Sequence, residues 1–151
     1  MLRLSKLTDY GIVLLAELAR DEAAAPRGAR ELAETVDLPV PVVSKVLKML
    51  ARRSVLESQR GSKGGYSLSH RPSDLSVADI IGALEGPVAL TECNLAPALC
   101  QHEDNCSVRG PWQVINHVVR QALSQMTLAD LIDPQFSSAP TTLEILHEQC
   151  Q

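Results

Sequence analysis

Apolar residues recur at helical spacing through the first fifty positions. Ile12, Leu14, Leu15 and Leu18 form a stripe, widened by Val13 and Ala16. That stripe predicts a helix from Thr8 to Arg20, with Thr8 as its N-cap. The Ala-rich stretch to Ala25, then Pro26 and Gly28, ends it. A shorter helix is expected from Ala29 to Thr35, with Leu32, Ala33 and Val36 turned inward. Asp37, Leu38 and Pro39 read as a turn, and Pro39 and Pro41 both suit a helix entry, where a missing N–H costs little. A third helix is expected from about Pro41 to Arg53. Its inner face carries Val43, Val46, Leu47 and Leu50; its outer face carries Ser44, Lys45, Lys48 and Arg52.

The period then changes. Val55 to Ser58 and Tyr66 to Ser69 read as two short strands, with Gly61, Gly64 and Gly65 in the connection, where positive φ is tolerated. Ser76 and Asp79 form a capping-box pattern that opens a helix to Glu85, closed by Gly86 and Pro87. From Val88 to Cys106 no period is visible. A long helix is expected from about Val108 to Met126, striped by Trp112, Ile115, Val119, Ala122 and Met126 and broadened by Val118 and Leu123. A helix with so few charges, outside a compact unit, is expected to pack on a second copy of the chain. Residues 127–131 add a short helical turn. The tail from Pro134, with Ser137, Ser138 and Pro140, is expected to be poorly ordered.

Two short helices joined by a tight turn, the second basic on its exposed side, make a helix-turn-helix. A hairpin directly after the second helix is a wing. The fold class is therefore mainly α: a winged helix-turn-helix DNA-binding domain with a two-stranded wing, plus a long C-terminal dimerisation helix. The expected divisions are residues 1–86 for the DNA-binding domain, 87–107 for a cysteine-containing loop, 108–132 for the dimerisation helix and 133–151 for a tail.

Charge sharpens this reading. The chain's net charge of −4 argues against nucleic acid as a partner. Its distribution argues the other way: residues 1–71 carry a net +4 and residues 72–151 a net −8. From Lys45 to Arg71 there are seven basic residues against Glu57 alone. Such asymmetry fits a basic contact face, and equally a solvated charged surface. At 45% hydrophobic and only 3% aromatic residues, the core must be built from Leu, Val, Ile and Ala. The opening residues lack a signal-peptide pattern and no stretch is apolar enough for a membrane span, so a soluble, cytoplasmic protein with no membrane partner is expected. No G-x-S-x-G, P-loop, H-E-x-x-H or G-x-G-x-x-G motif occurs, and the four histidines are scattered, so an enzyme is not expected.

Three of the four cysteines, Cys93, Cys100 and Cys106, share the aperiodic loop with spacing C-x6-C-x5-C. Thiolates bind iron–sulfur clusters or zinc. Structural zinc sites usually show closer pairs, which leans the spacing toward a cluster. Spacing alone also leaves open a thiol–disulfide switch and three unconnected thiols. Cys150 lies in the tail and reads as a spare thiol.

The order of these parts resembles the iron–sulfur transcription regulators typified by IscR and NsrR, and among them regulators of SUF iron–sulfur assembly genes. RLSKLTDYGI resembles that family's first-helix motif. LARRSVLESQRGSKGGYSLS resembles its recognition-helix exit and wing, and SVADIIGALEG its next helix, with three cysteines following. The resemblance spans roughly residues 1–132. It implies a homodimer that binds a palindromic operator, acts as a repressor and is governed by an iron–sulfur cluster responding to cluster or iron status, oxidants or nitric oxide. Two departures bear on the ligands. The first cysteine gap is six residues where family members have five, and Arg109 stands where two-iron members place a histidine. The implied ligands are Cys93, Cys100 and Cys106 with Asp9 of the partner subunit, a set favouring a four-iron over a two-iron cluster. His102 is the second choice for the fourth ligand, with Glu92, Glu103 and Asp104 behind it. Without the resemblance, Asp9 is an ordinary first-turn aspartate favoured by the helix dipole. For DNA, Ser44, Lys45 and Lys48 are assigned to the major groove and Arg52 to a phosphate. Arg60 matches the family's wing arginine and is assigned to the minor groove, supported by Lys63 and Tyr66. The alternative is a winged-helix regulator that uses zinc or a thiol–disulfide switch in place of the cluster.

Overall fold

The computed structural model describes residues 4–21, 25–61, 63–97, 99–101 and 105–136. Its first helix, α1, spans Lys6–Ala19 and starts earlier than expected. Ser5, not Thr8, is the N-cap: its hydroxyl accepts the Thr8 N–H at 3.3 Å. Thr8 is fully buried instead, and its hydroxyl donates to Glu85. Leu14, Leu15 and Leu18 face the core, while Val13 points to solvent. Gly11 sits where α1 crosses the helix over 77–85; a Cβ there would overlap the Leu84 side chain.

Helix α2 spans Ala29–Thr35 and buries Leu32 and Ala33. Helix α3 spans Val40–Arg52, with Pro39 as its N-cap. Its inner residues are the four expected ones, Val43, Val46, Leu47 and Leu50, all fully buried. The exit from α3 is a Schellman motif. The Ser54 N–H bonds the Ala51 carbonyl at 3.1 Å and the Val55 N–H bonds the Leu50 carbonyl at 3.0 Å. Ser54 takes the left-handed position, φ 58°, usually held by glycine. This turn sends the chain straight from α3 into the wing.

The wing is an antiparallel pair, β1 (Leu56–Gln59) and β2 (Gly65–Leu68), in which Leu56 faces Leu68 and Gln59 faces Gly65. A 3-10 turn at Pro72–Asp74 leads to α4, Val77–Glu85, which opens with the expected capping box of Ser76 and Asp79. Val77, Ile80, Ile81 and Leu84 are its buried face.

The region after Gly86 departs from expectation in two places. A one-turn helix, α5 (Glu92–Leu95), interrupts the segment read as aperiodic; four residues are too few for a helical period to register. Helix α6, Arg109–Gln125, then packs on α4 and α5. Finally α7, Leu128–Ile132, returns to the winged unit. The Val77 N–H bonds the Met126 carbonyl and the Leu128 N–H bonds the Leu75 carbonyl, both at 2.8 Å. Leu128 is fully buried in the same core as Leu14, Leu47 and Ile80. The segment grouped with the long helix on sequence thus closes the winged core. Among the described residues no helix is long and apolar enough to cross a membrane. The tail beyond 136 lies outside the described residues.

Candidate nucleic-acid interface

Because α3 turns Val43, Val46, Leu47 and Leu50 inward, with Met49 and Ala51 packed beside them, its polar positions face out. Lys45, Lys48 and Arg52 are exposed, and Ser44 is half-buried beside them. On the wing, Arg60 and Lys63 are exposed. Among the described residues the ion pairs involve Arg20, Arg27 and Arg71, and none involves Lys45, Lys48, Arg52, Arg60 or Lys63. Among the described residues these five cations on α3 and the wing therefore have no ion-pair partner, a pattern expected of a phosphate-binding face.

The wing tip is shaped by glycine. Gly61 has φ 113°, and its carbonyl accepts the Gly64 N–H at 3.0 Å. A Cβ on Gly64 would strike the backbone of Gln59 and Gly61, and one on Gly65 would strike Arg27. Tyr66 is half-buried against the core, so it anchors the wing from below. Its backbone pairs with Arg27 in both directions, at 3.0 and 2.9 Å.

The cysteine loop leaves the winged unit at Gly86. Glu85, the last residue of α4, accepts the Ser5 N–H at 2.7 Å and the Thr8 hydroxyl. These two hydrogen bonds hold its carboxyl below the usual carboxylate range. Asp9 follows on the exposed side of the same first turn. The start of the loop is tied to α6 by Asn116, whose side-chain carbonyl accepts the Leu90 N–H at 2.9 Å. Asn116 is only 5% exposed, and sequence reasoning missed it. The available signal was the single asparagine of a charge-poor helix. Next, the Asn94 amide donates to the Thr91 hydroxyl at 2.7 Å, and that hydroxyl is in hydrogen-bond contact with Cys93 Sγ at 3.2 Å.

Cys93, Cys100 and Cys106 are free thiols, each half-buried. Among the described residues no group of three or more His, Cys, Asp or Glu side chains stands together as a metal site. The donor set nonetheless suits an iron–sulfur cluster in kind: three unpaired thiols in one short segment, with polar hydrogen-bonding support at Thr91. Glu92 is exposed at the start of α5. His102, Glu103, Asp104 and Cys150 lie outside the described residues.

Residues 4–134 match the family described as "Rrf2: Iron-dependent Transcriptional regulator". The chain belongs to the Rrf2 family. Protein rrf2 of Nitratidesulfovibrio vulgaris is 28% identical over 131 residues, covering 87% of both chains. The transcriptional regulator IscR of Escherichia coli is 24% identical, covering 89% of this chain and 82% of IscR. The solved structure of CymR, the global cysteine regulator of Bacillus subtilis, superposes with a TM-score of 0.68 at 29% identity, covering 87% of this chain and 97% of CymR. This Rrf2 chain is accordingly a winged-helix, DNA-binding transcription regulator, in a family of regulators rather than enzymes. The winged helix-turn-helix expected from sequence is borne out.

Proposed function

We propose that this Rrf2 regulator is a homodimeric repressor that binds a palindromic operator under the control of an iron–sulfur cluster. The observation that carries the DNA reading is the unpaired basic row of α3 and the wing. Ser44, Lys45 and Lys48 read the major groove, Arg52 meets phosphate, and Arg60 enters the minor groove with Lys63 and Tyr66 behind it. Two subunits then offer about ten cationic contacts. The logarithm of affinity falls against the logarithm of salt with a slope on the order of −5 or steeper. Measuring affinity across a salt series checks this; a slope near zero removes the assignment.

For control, Cys93, Cys100 and Cys106 hold the cluster with Asp9 of the second subunit, and a four-iron form suits this set better than a two-iron form. When bound, the cluster supplies a core whose charge and ligation respond to redox state, iron supply or nitric oxide. The chain's own part is mechanical. Thr91 and Asn94 fix Cys93 on α5, and Asn116 fixes the loop start on α6. Because α6 packs on α4, release of the loop shifts the spacing of the two winged units.

Protein purified without oxygen is expected to be brown. Cys→Ala at any of the three loop positions abolishes the visible absorbance, and Cys150→Ala leaves it intact. Mixing Asp9→Ala subunits with Cys93→Ala subunits restores about half the cluster if ligands cross the interface, since one of two sites is then whole. No recovery overturns the assignment of Asp9 as a ligand supplied across the interface. The similarity to CymR, a cysteine regulator by name, favours one second reading, a thiol–disulfide switch at the same cysteines. Colourless protein with two thiols lost on mild oxidation supports it, and stoichiometric zinc supports a zinc site instead.

A further inference from the structure

Arg27 stands between two helix breakers, Pro26 and Gly28, immediately before α2. Its guanidinium is only 14% exposed and is bound on three sides. Nε donates to Glu31 at 2.7 Å, Nη1 to Glu17 at 3.0 Å and Nη2 to the Thr35 hydroxyl at 2.9 Å. Glu17 belongs to α1, and Glu31 and Thr35 to α2. The backbone of the same residue exchanges both hydrogen bonds with Tyr66 of β2. Gly65 lies so close to that backbone that a Cβ would sit 2.5 Å from its carbonyl carbon. One residue thus ties the helix-turn-helix to the wing through its side chain on one side and its main chain on the other.

The basic face is split across that joint. Lys45 and Lys48 ride on α3, Arg60 and Lys63 on the hairpin, and the two groups meet DNA together only if the hairpin keeps its angle to the helices. A two-stranded hairpin alone is marginal in water and takes its orientation from what it is docked on. A planar guanidinium with all three nitrogens engaged fixes direction in a way a single ammonium cannot.

We propose that Arg27 is a positioning residue for the wing: clamped by Glu17, Glu31 and Thr35, it holds β2 so that Arg60 reaches DNA in register with the α3 contacts. This rests on the DNA reading of Arg60 above, and the test separates the two. Affinity is measured for a duplex selected from random sequence by the wild-type protein, in a cycle of Arg60→Ala and Arg27→Met. Methionine keeps the apolar stem and removes the fork. Arg60→Ala alone is expected to weaken binding about tenfold. In the Arg27→Met background the same change is expected to cost under threefold, because the wing no longer delivers Arg60. Equal losses in both backgrounds overturn the proposal and leave the wing contact standing. No loss from Arg60→Ala in the wild type removes the wing contact and the proposal with it. Thermal unfolding accompanies each variant. Should Arg27→Met fail to fold, the cycle is run on Glu31→Gln with Thr35→Val, which cuts the clamp to α2 and keeps Arg27 paired with Glu17. A smaller cost of Arg60→Ala in that background supports the proposal and full additivity overturns it.

Discussion

In the winged unit, Leu14, Leu15, Leu32, Leu47, Leu50 and Ile80 reach no solvent. On α6, by contrast, Trp112, Val114 and Ile115 are 40, 63 and 46% exposed, and the one buried residue of the helix is Asn116. Both regions were read from the same kind of apolar stripe. In the winged unit five helices, α1 to α4 and α7, and the hairpin converge on one core, which a single chain completes. Helix α6 touches α4 and α5 along one side and presents its apolar remainder outward. A stripe at helical spacing therefore says that a face is to be covered, and not which chain covers it.

The sharpest way to break this contrast is to charge α6 at exposed Ile115 and half-buried Val119. Replacing Ile115 and Val119 with Glu is expected to abolish dimers altogether, while the winged unit keeps its fold. Sedimentation reads the mass, circular dichroism the helix content, and footprinting the protection, which should shrink from two half-sites to none or one. A double variant that still sediments as a dimer places the interface elsewhere.

Truncation inside the closed core comes next in size. Leu128→Ala removes a fully buried side chain that fastens α7 beneath Leu75 and Val77, and should cost about 2–5 kcal/mol of unfolding free energy in urea. Val114→Ala on the exposed face of α6, in the monomeric background, should change it by less than about 0.5 kcal/mol. Comparable losses would mean that α6 belongs to the winged core after all.

What sequence could reveal follows the same division. The helix-turn-helix, the wing and the Ser76 capping box were legible because each is specified within a few residues: period, glycine, cap. The α1 cap was not, because Ser5 and Thr8 are both capping types and the choice is made by Glu85, distant in the chain. Arg27 read only as part of a break, since its partners are scattered over α1, α2 and the wing. The return of α7 was illegible because five residues hold too little pattern to show which core they enter. For the cysteines, sequence offers candidate donors but not their arrangement, which depends on residues of a second chain under the reading proposed above.

The smallest expected effect lies at the seam between the two regions, at Glu85. Its carboxylate accepts from Thr8 and Ser5 at the α1 N-terminus, and the loop begins one residue later. Both bonds favour the charged form, so the folded-state pKa lies below that of the unfolded chain. The resulting stability is fully present above the ordinary carboxylate range, and it disappears as pH falls through the lowered folded value. Much of the residue is exposed, which keeps the contribution modest. Glu85→Gln retains an acceptor oxygen but no charge. At about pH 7 it should melt slightly below the wild type, and the gap should close as pH drops toward about 3, because only the wild type has a proton to gain. A pH-independent gap would show that packing at the seam, rather than the carboxylate, fastens α1 to α4 where the cysteine loop departs.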